Sequence, residues 1–172
     1  MGLLLRKISP NKWKDNLDKS PSNFSADAIT GCTRTTSNTL SVWSSNTHDF
    51  NDETVKELIV GLALSMPQPA KIDLIWLDEN ELKGNGLNIE STEANSIYIS
   101  VNSRHKDIES LDHEKLGIVA KHIVEQFKVA ENRYSISKNN LINLVIEWMN
   151  KESTFSLEDL NDKWLEEVRK KL

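Results

Sequence analysis

The sequence predicts an α+β protein with a small mixed sheet in its N-terminal half and a layer of three helices in its C-terminal third. Apolar and polar residues alternate over 39–44, which is the period of a half-buried strand. After Ser103 the apolar residues instead recur every three to four positions, as they do in helices. At 172 residues the chain has the usual size of one domain. We therefore predict a single domain over 1–172, with a sheet-forming part at 1–104 and a helical part at 105–172.

Three further segments of the first part carry strand patterns. Residues 3–8 form a short apolar strand that Ser9-Pro10 ends. The apolar run at 71–78 is continuous, which predicts a strand covered on both faces. Within 97–101 two isoleucines and a valine alternate with Tyr98 and a serine, which predicts another half-buried strand.

One helix connects the predicted strand at 39–44 to the predicted strand at 71–78. Asp52 can cap its N-terminus, and Glu53 suits the first turn, where the helix dipole favours negative charge. Apolar residues then repeat at helical spacing from Val55 to Met66, and Pro67 ends the pattern. The order strand, helix, strand predicts a right-handed parallel crossover.

The C-terminal third shows three helical segments. The first presents an apolar face from Leu116 to Phe127, and the second begins at Ser137 and is apolar on most sides. The third has Ser156 as its cap, and Phe155 and Leu160 stand at the spacing of a hydrophobic staple. We expect these helices to cover the sheet.

A polar segment rich in serine, threonine and asparagine spans 20–47. Structureless segments of this length are uncommon inside compact domains, and they are usually functional or disordered. Trp13 and Trp43 flank the segment, and Arg34 is its strong anion-pairing side chain. Because aromatic residues and arginine anchor many interfaces, Arg34, Trp13 and Trp43 are the predicted partner-binding residues.

The charge and composition bear on partners and location. The net charge of −5 argues against binding to nucleic acid and to anionic membranes. The single cysteine, Cys32, suits a reducing compartment. The apolar run at the start is too short for a signal peptide, and positive charge follows it instead of preceding it. These observations predict a cytoplasmic protein that acts without a membrane.

Asp73, Glu81 and Lys83 suggest a catalytic alternative. An Asp followed by Glu-x-Lys resembles metal-dependent nucleases, in which the two carboxylates hold Mg²⁺ and the lysine orients the attacking water. That chemistry requires Glu81 and Lys83 on one strand face, but the sequence continues into a Gly-Asn-Gly turn at 84–86. We therefore assign no catalytic residue and keep this constellation as an alternative.

The histidines and Cys32 provide no stronger signature. His122 and Glu125 stand at i, i+3 on one helix, but the Glu-x-x-His unit of di-iron proteins normally occurs twice. Cys32 lies close to Arg34 in sequence, yet the glycine-rich cradle of phosphate-handling cysteines is absent. The sequence predicts neither a metal site nor a cofactor.

Four N-terminal segments carry a family resemblance. These are Leu-Leu-Arg-Lys-Ile at 4–8, Lys-Trp at 12–13, Ala-Asp-Ala-Ile-Thr at 26–30 and Arg-Thr-Thr-Ser-Asn-Thr-Leu-Ser-Val-Trp at 34–43. Together they resemble small uncharacterised bacterial proteins of accessory gene clusters, some of them anti-phage. The resemblance covers about the first 45 residues. It implies a bacterial accessory protein and no catalytic residues.

These observations predict a non-enzymatic accessory or interaction protein that acts beside a larger bacterial partner, with a defence system as one setting. Two alternatives stay open. One is a metal-dependent nuclease built on Asp73, Glu81 and Lys83. The other is a small-ligand sensor that uses the 20–47 segment.

Overall fold

The computed structural model describes residues 2–33, 36–151 and 155–172, which form six strands and seven helices. This confirms the predicted α+β class. The strands are β1 (Leu3–Ile8), β2 (Leu40–Ser45), β3 (Ile72–Asp78), β4 (Asn88–Ser91), β5 (His105–Glu109) and β6 (Arg133–Ile136). The helices are α1 (Pro10–Trp13), α2 (Ala26–Cys32), α3 (Glu53–Leu64), α4 (Glu79–Gly84), α5 (His113–Phe127), α6 (Lys138–Lys151) and α7 (Asp162–Arg169). Short 3₁₀ helices occupy Lys14–Asn16, Pro21–Asn23, Ile99–Arg104, Ala130–Asn132 and Leu157–Asp159.

The strands form one sheet in the order β4-β5-β2-β1-β3-β6, and all five described strand pairs are antiparallel. The prediction of a mixed sheet is therefore corrected. Helix α3 does connect two parallel strands, β2 and β3, but β1 lies between them and pairs with both. Leu5, for example, stands opposite Trp43 on one side and Trp76 on the other.

Helices cover both faces of the sheet. Side chains of β3 alternate between two cores, so that Trp76 packs with α3, α6 and α7, while Ile75 packs with α1, α2 and α5. This confirms the prediction that the strand at 71–78 is covered on both faces. The single C-terminal layer of three helices is corrected, because a sheet that is apolar on both faces needs cover on each.

The predicted helical part at 105–172 contains two strands, β5 and β6, as well as α5, α6 and α7. In β5 only Ile108 is a fully buried apolar residue, and in β6 only Ile136 is buried. Such short, polar strands carry no clear period-two pattern. Pairing with β2 and β3 makes them part of the sheet.

The ends of the helices test two predicted caps. The Asp52 side chain accepts a hydrogen bond from the Thr54 N–H at 2.8 Å, which confirms the start of α3. At the C-terminus Ser156 forms a capping box with Asp159, but that box starts a 3₁₀ turn. Helix α7 begins after Asn161, which caps it.

The 20–47 segment is largely structured, since it contains α2 and all of β2. Ala28 and Cys32 of α2 are buried against the core. The Arg6 guanidinium joins α2 to β2 by donating to the carbonyl oxygens of Cys32 and Ser41. Burial lowers the pKa of Arg6 to about 10. The prediction of a long polar loop is therefore corrected.

In the part of the chain that is described, no helix has both the length and the hydrophobicity needed to cross a bilayer.

Candidate functional site

Residues 92–104 connect β4 to β5 and form a segment with a fixed backbone, named here the 92–104 connection. Its backbone is bonded across the segment, since Ala94 donates to the Asn102 carbonyl at 3.2 Å. The buried Asn102 side chain accepts from the Ser96 N–H at 3.1 Å and donates to the Ser96 carbonyl at 3.2 Å. Such satisfied buried amides hold a loop in one conformation.

Tyr98 anchors the middle of this connection. Its ring is fully buried and packs edge-to-face on Phe155, with the ring centroids 5.3 Å apart. Its hydroxyl donates to the Glu57 carboxylate at 3.0 Å, and burial together with this carboxylate raises the pKa of Tyr98 to about 12. A Cβ atom on Gly61 of α3 would lie only 2.5 Å from Val101, so the close contact of α3 with the connection requires glycine.

Ile97 and Ile99 point away from this anchor into solvent, and they are 40% and 70% exposed. The predicted strand at 97–101 is therefore wrong in type and in orientation, because Tyr98 is the inward residue. Strand β5 begins only at His105, so residues 99–104 satisfy their backbone locally in a 3₁₀ helix. The result is a pair of neighbouring isoleucines displayed on a fixed backbone.

A cleft of about 410 Å³ lies between the 92–104 connection, β1 and β2. Lys7, Ser41, Trp43, Ser96 and His105 are among its lining residues. Trp43 and His105 stand opposite each other in the β2–β5 pair, and their rings meet edge-to-face with centroids 5.1 Å apart.

Asp107 and Thr92 orient the His105 ring. The Thr92 hydroxyl donates to Asp107 Oδ2 at 2.9 Å, so its oxygen accepts from His105 Nδ1 at 2.8 Å. The Ser41 hydroxyl donates to the other carboxylate oxygen of Asp107 at 3.1 Å. In the neutral ring the proton therefore lies on Nδ1, and Nε2 carries the lone pair.

His105 Nε2 makes no hydrogen bond to any described residue, and the ring lines the cleft. Lys7, also in the cleft, is an exposed residue whose ammonium group donates to the Met66 sulfur at 3.4 Å and forms no ion pair within the described residues. The cleft thus offers a hydrogen-bond acceptor, a cation and the apolar ring of Trp43 to a small ligand.

Of the three predicted partner-binding residues, the two that the structure describes, Trp13 and Trp43, are buried. Trp13 is 0% exposed in the core against α2, so its ring cannot reach a partner in this conformation. Trp43 is 6% exposed and reaches only the cleft. Arg34 lies outside the described residues, and its role stays a prediction.

The nuclease constellation is not assembled. Asp73 lies near the start of β3, whereas Glu81 lies in α4, beyond the end of that strand at Asp78. Five residues of extended chain separate Asp73 from Asp78, about 16 Å at roughly 3.3 Å per residue. Lys83 pairs with Glu79 at 2.8 Å. Asp73 and Glu81 therefore cannot share one Mg²⁺ ion, and we do not propose nuclease activity.

Glu81 instead approaches His122, and with Glu125 these residues place their ligand atoms within 4.8 Å of one another. However, His122 Nε2 accepts a hydrogen bond from the Asp78 backbone N–H at 3.0 Å. A histidine that binds a metal through Nδ1 normally carries its proton on Nε2. An N–H donor facing Nε2 opposes that state, so the chemistry of this cluster does not fit a metal site.

Sequence reasoning missed Thr92, Asp107 and His105 as a group, as well as the exposure of Ile97 and Ile99. Thr92 and His105 are 13 positions apart, and only the β4–β5 pairing brings them together. The sequence signal that could have indicated this site is the length of the 92–104 connection and the polarity of its first residues, Thr92 to Ser96. Long connections inside a compact domain are often functional.

Comparisons with known proteins give no match to this chain, neither among family models, nor among curated proteins, nor among solved structures.

Proposed function

We propose that this chain is a non-enzymatic interaction protein that binds a larger bacterial protein in the cytoplasm through Ile97 and Ile99 of the 92–104 connection. The observation that carries the proposal is the exposure of these two residues on a backbone fixed by buried Tyr98 and Asn102.

The energetics favour a contact surface at this place. Full burial of an isoleucine contributes about 1.5–3 kcal/mol, and a partner's apolar pocket can recover the fraction that corresponds to the 40% and 70% of Ile97 and Ile99 that is still exposed. The connection is already ordered by Tyr98, so binding costs little additional conformational entropy. This kind of preorganisation is typical of interface anchors.

The charge of the chain suggests the rest of the partner surface. With a net charge of −5, the protein associates fastest with a partner whose apolar pocket has a basic rim. The resemblance of the N-terminal segments to bacterial accessory proteins supports a partner from the same gene cluster, with anti-phage defence as one setting.

Replacing Ile99 with aspartate should weaken partner binding at least tenfold, or about 1.4 kcal/mol, because a carboxylate cannot enter an apolar pocket. Val129 is 43% exposed near β6 and provides the matched control, Val129→Asp. Both variants should unfold at the wild-type temperature. The measurement is a pull-down with the full chain from its host, followed by titration of the recovered partner.

Equal recovery of that partner by wild type and Ile99→Asp would reject the surface. Recovery of no partner by the wild type would reject the class of function. The same titration with Arg34→Ala tests the sequence-based expectation that the 20–47 segment contributes, for which the expected loss is about 1–3 kcal/mol.

A further inference from the structure

A second cavity, of about 420 Å³, opens at the other end of the sheet, where α1, the end of α5, β3 and β6 meet. It lies beyond the surface proposed for partner binding. Four strand spacings separate β5 from β6, about 19 Å at roughly 4.8 Å each. Substitutions at the two places should therefore act independently. The lining includes Ile8, Asn11, Lys14, Lys71, Asp73, Phe127, Arg133 and Ser135.

The cavity is positively charged although the chain is acidic. Three cations, Lys14, Lys71 and Arg133, line it against one carboxylate, Asp73, which gives a local charge of +2 in a chain of net charge −5. Lys71 pairs with Asp73 at 3.1 Å. Lys14 and Arg133 form no ion pair with any described residue, so their charges are available to a ligand. The apolar wall residues Ile8 and Phe127 concentrate the field of these cations.

Arg133 is held in position for binding. Its guanidinium carbon lies 4.6 Å from the centroid of the buried Phe127 ring, so one face of the group is packed. In the β3–β6 pair Ser135 stands opposite Asp73, and Arg133 stands opposite Ile75, so Arg133 and Ser135 share the face of the sheet that carries the cavity. The edge of the guanidinium group stays free to donate two parallel hydrogen bonds.

We propose that this cavity binds a small phosphate monoester. A phosphate monoester carries a charge near −2 at pH 7, which matches the +2 of the cavity, whereas a carboxylate would leave it half compensated. Its oxygens can meet the edge of Arg133 and the ammonium groups of Lys14 and Lys71, with Asn11 and Ser135 as neutral donors. The volume lies in the range of small-molecule sites, so it accommodates more than a phosphate group alone.

The test is calorimetric titration of the full chain with adenosine 5′-monophosphate, inorganic phosphate and adenosine at low salt. We expect the first two to bind and adenosine not to bind, with weaker binding as salt rises. Arg133→Gln should weaken binding about tenfold or more, since it removes a bidentate charged donor. Asp73→Asn should tighten binding several-fold, because it removes the opposing carboxylate and frees Lys71.

Two further variants keep the result interpretable. Lys14→Gln removes a cation without touching the Phe127 contact, so it should weaken binding even if Arg133→Gln lowers stability. Lys163→Gln in α7, on the opposite face of the sheet, is the matched control and should leave binding unchanged. Absence of phosphate binding at millimolar ligand, or weaker binding by Asp73→Asn, would overturn the proposal. Neither result bears on Ile99 and the partner surface.

Discussion

Replacing Trp76 with alanine is expected to lower the free energy of unfolding by about 3–5 kcal/mol, the range for large aromatic residues deleted from a core. Trp76 lies in β3, is 1% exposed and stacks on Phe50 with the ring centroids 5.2 Å apart. Its indole N–H donates to the His48 carbonyl at 3.0 Å. The alanine variant loses the ring, the stack and this hydrogen bond together.

Trp76→Phe is the matched control, because it keeps an aromatic ring against Phe50 and loses the hydrogen bond to His48. Its expected cost is about 1–3 kcal/mol, because the smaller ring leaves part of the indole's space empty and the hydrogen bond is lost. Urea denaturation at constant pH measures both values. A loss below about 1 kcal/mol for Trp76→Ala would mean that the core around β3 repacks without a cavity.

The parts of the fold that could be predicted are those with a strong local signal. Helix α3 has a cap at Asp52 and an apolar face that repeats over about three turns, and β3 has a continuous apolar run. Strands β5 and β6 lack such a signal, because pairing with neighbours from distant parts of the chain defines them. The antiparallel pairing of β1 with both β2 and β3 is likewise a tertiary property.

The same contrast applies to the candidate sites. Ile97, Tyr98 and Ile99 have the sequence pattern of a strand, and only the tertiary burial of the Tyr98 ring shows which residue faces inward. The positively charged cavity between α1, α5, β3 and β6 combines Lys14 with Arg133, which lies more than 100 positions later in the chain. No spacing rule connects these two residues. Local patterns predict elements, whereas sites assembled by the sheet depend on its strand order.

Lowering the pH below about 6.5 is expected to destabilise the protein through His122, with a slope of up to about 1.4 kcal/mol per pH unit. Burial lowers the pKa of His122 from its ordinary value of 6.5, although Glu81, Glu125 and Asp78 oppose that shift. Protonation would also place a hydrogen on Nε2, facing the Asp78 N–H that now donates to it.

The direction of this pH effect follows from the protonation of His122 in the folded and unfolded states. Below pH 6.5 the unfolded chain takes up a proton at His122, while the folded chain stays neutral until its lower pKa is reached. Unfolding in that window therefore binds a proton, so the stabilisation is fully present above pH 6.5 and is lost progressively as the pH falls.

His122→Gln should flatten this pH dependence, because the glutamine carbonyl can accept from the Asp78 N–H without titrating. The exposed residue His113 at the start of α5 supplies the matched control, and His113→Gln should keep the wild-type slope. Unfolding curves between pH 5 and 8 test both expectations. Equal slopes in wild type and His122→Gln would show that His122 protonates alike in the folded and unfolded states.

Added Zn²⁺ should leave the wild-type unfolding temperature unchanged. His122 Nε2 accepts the hydrogen bond from the Asp78 backbone N–H, so Nδ1 holds the proton that a metal would have to displace.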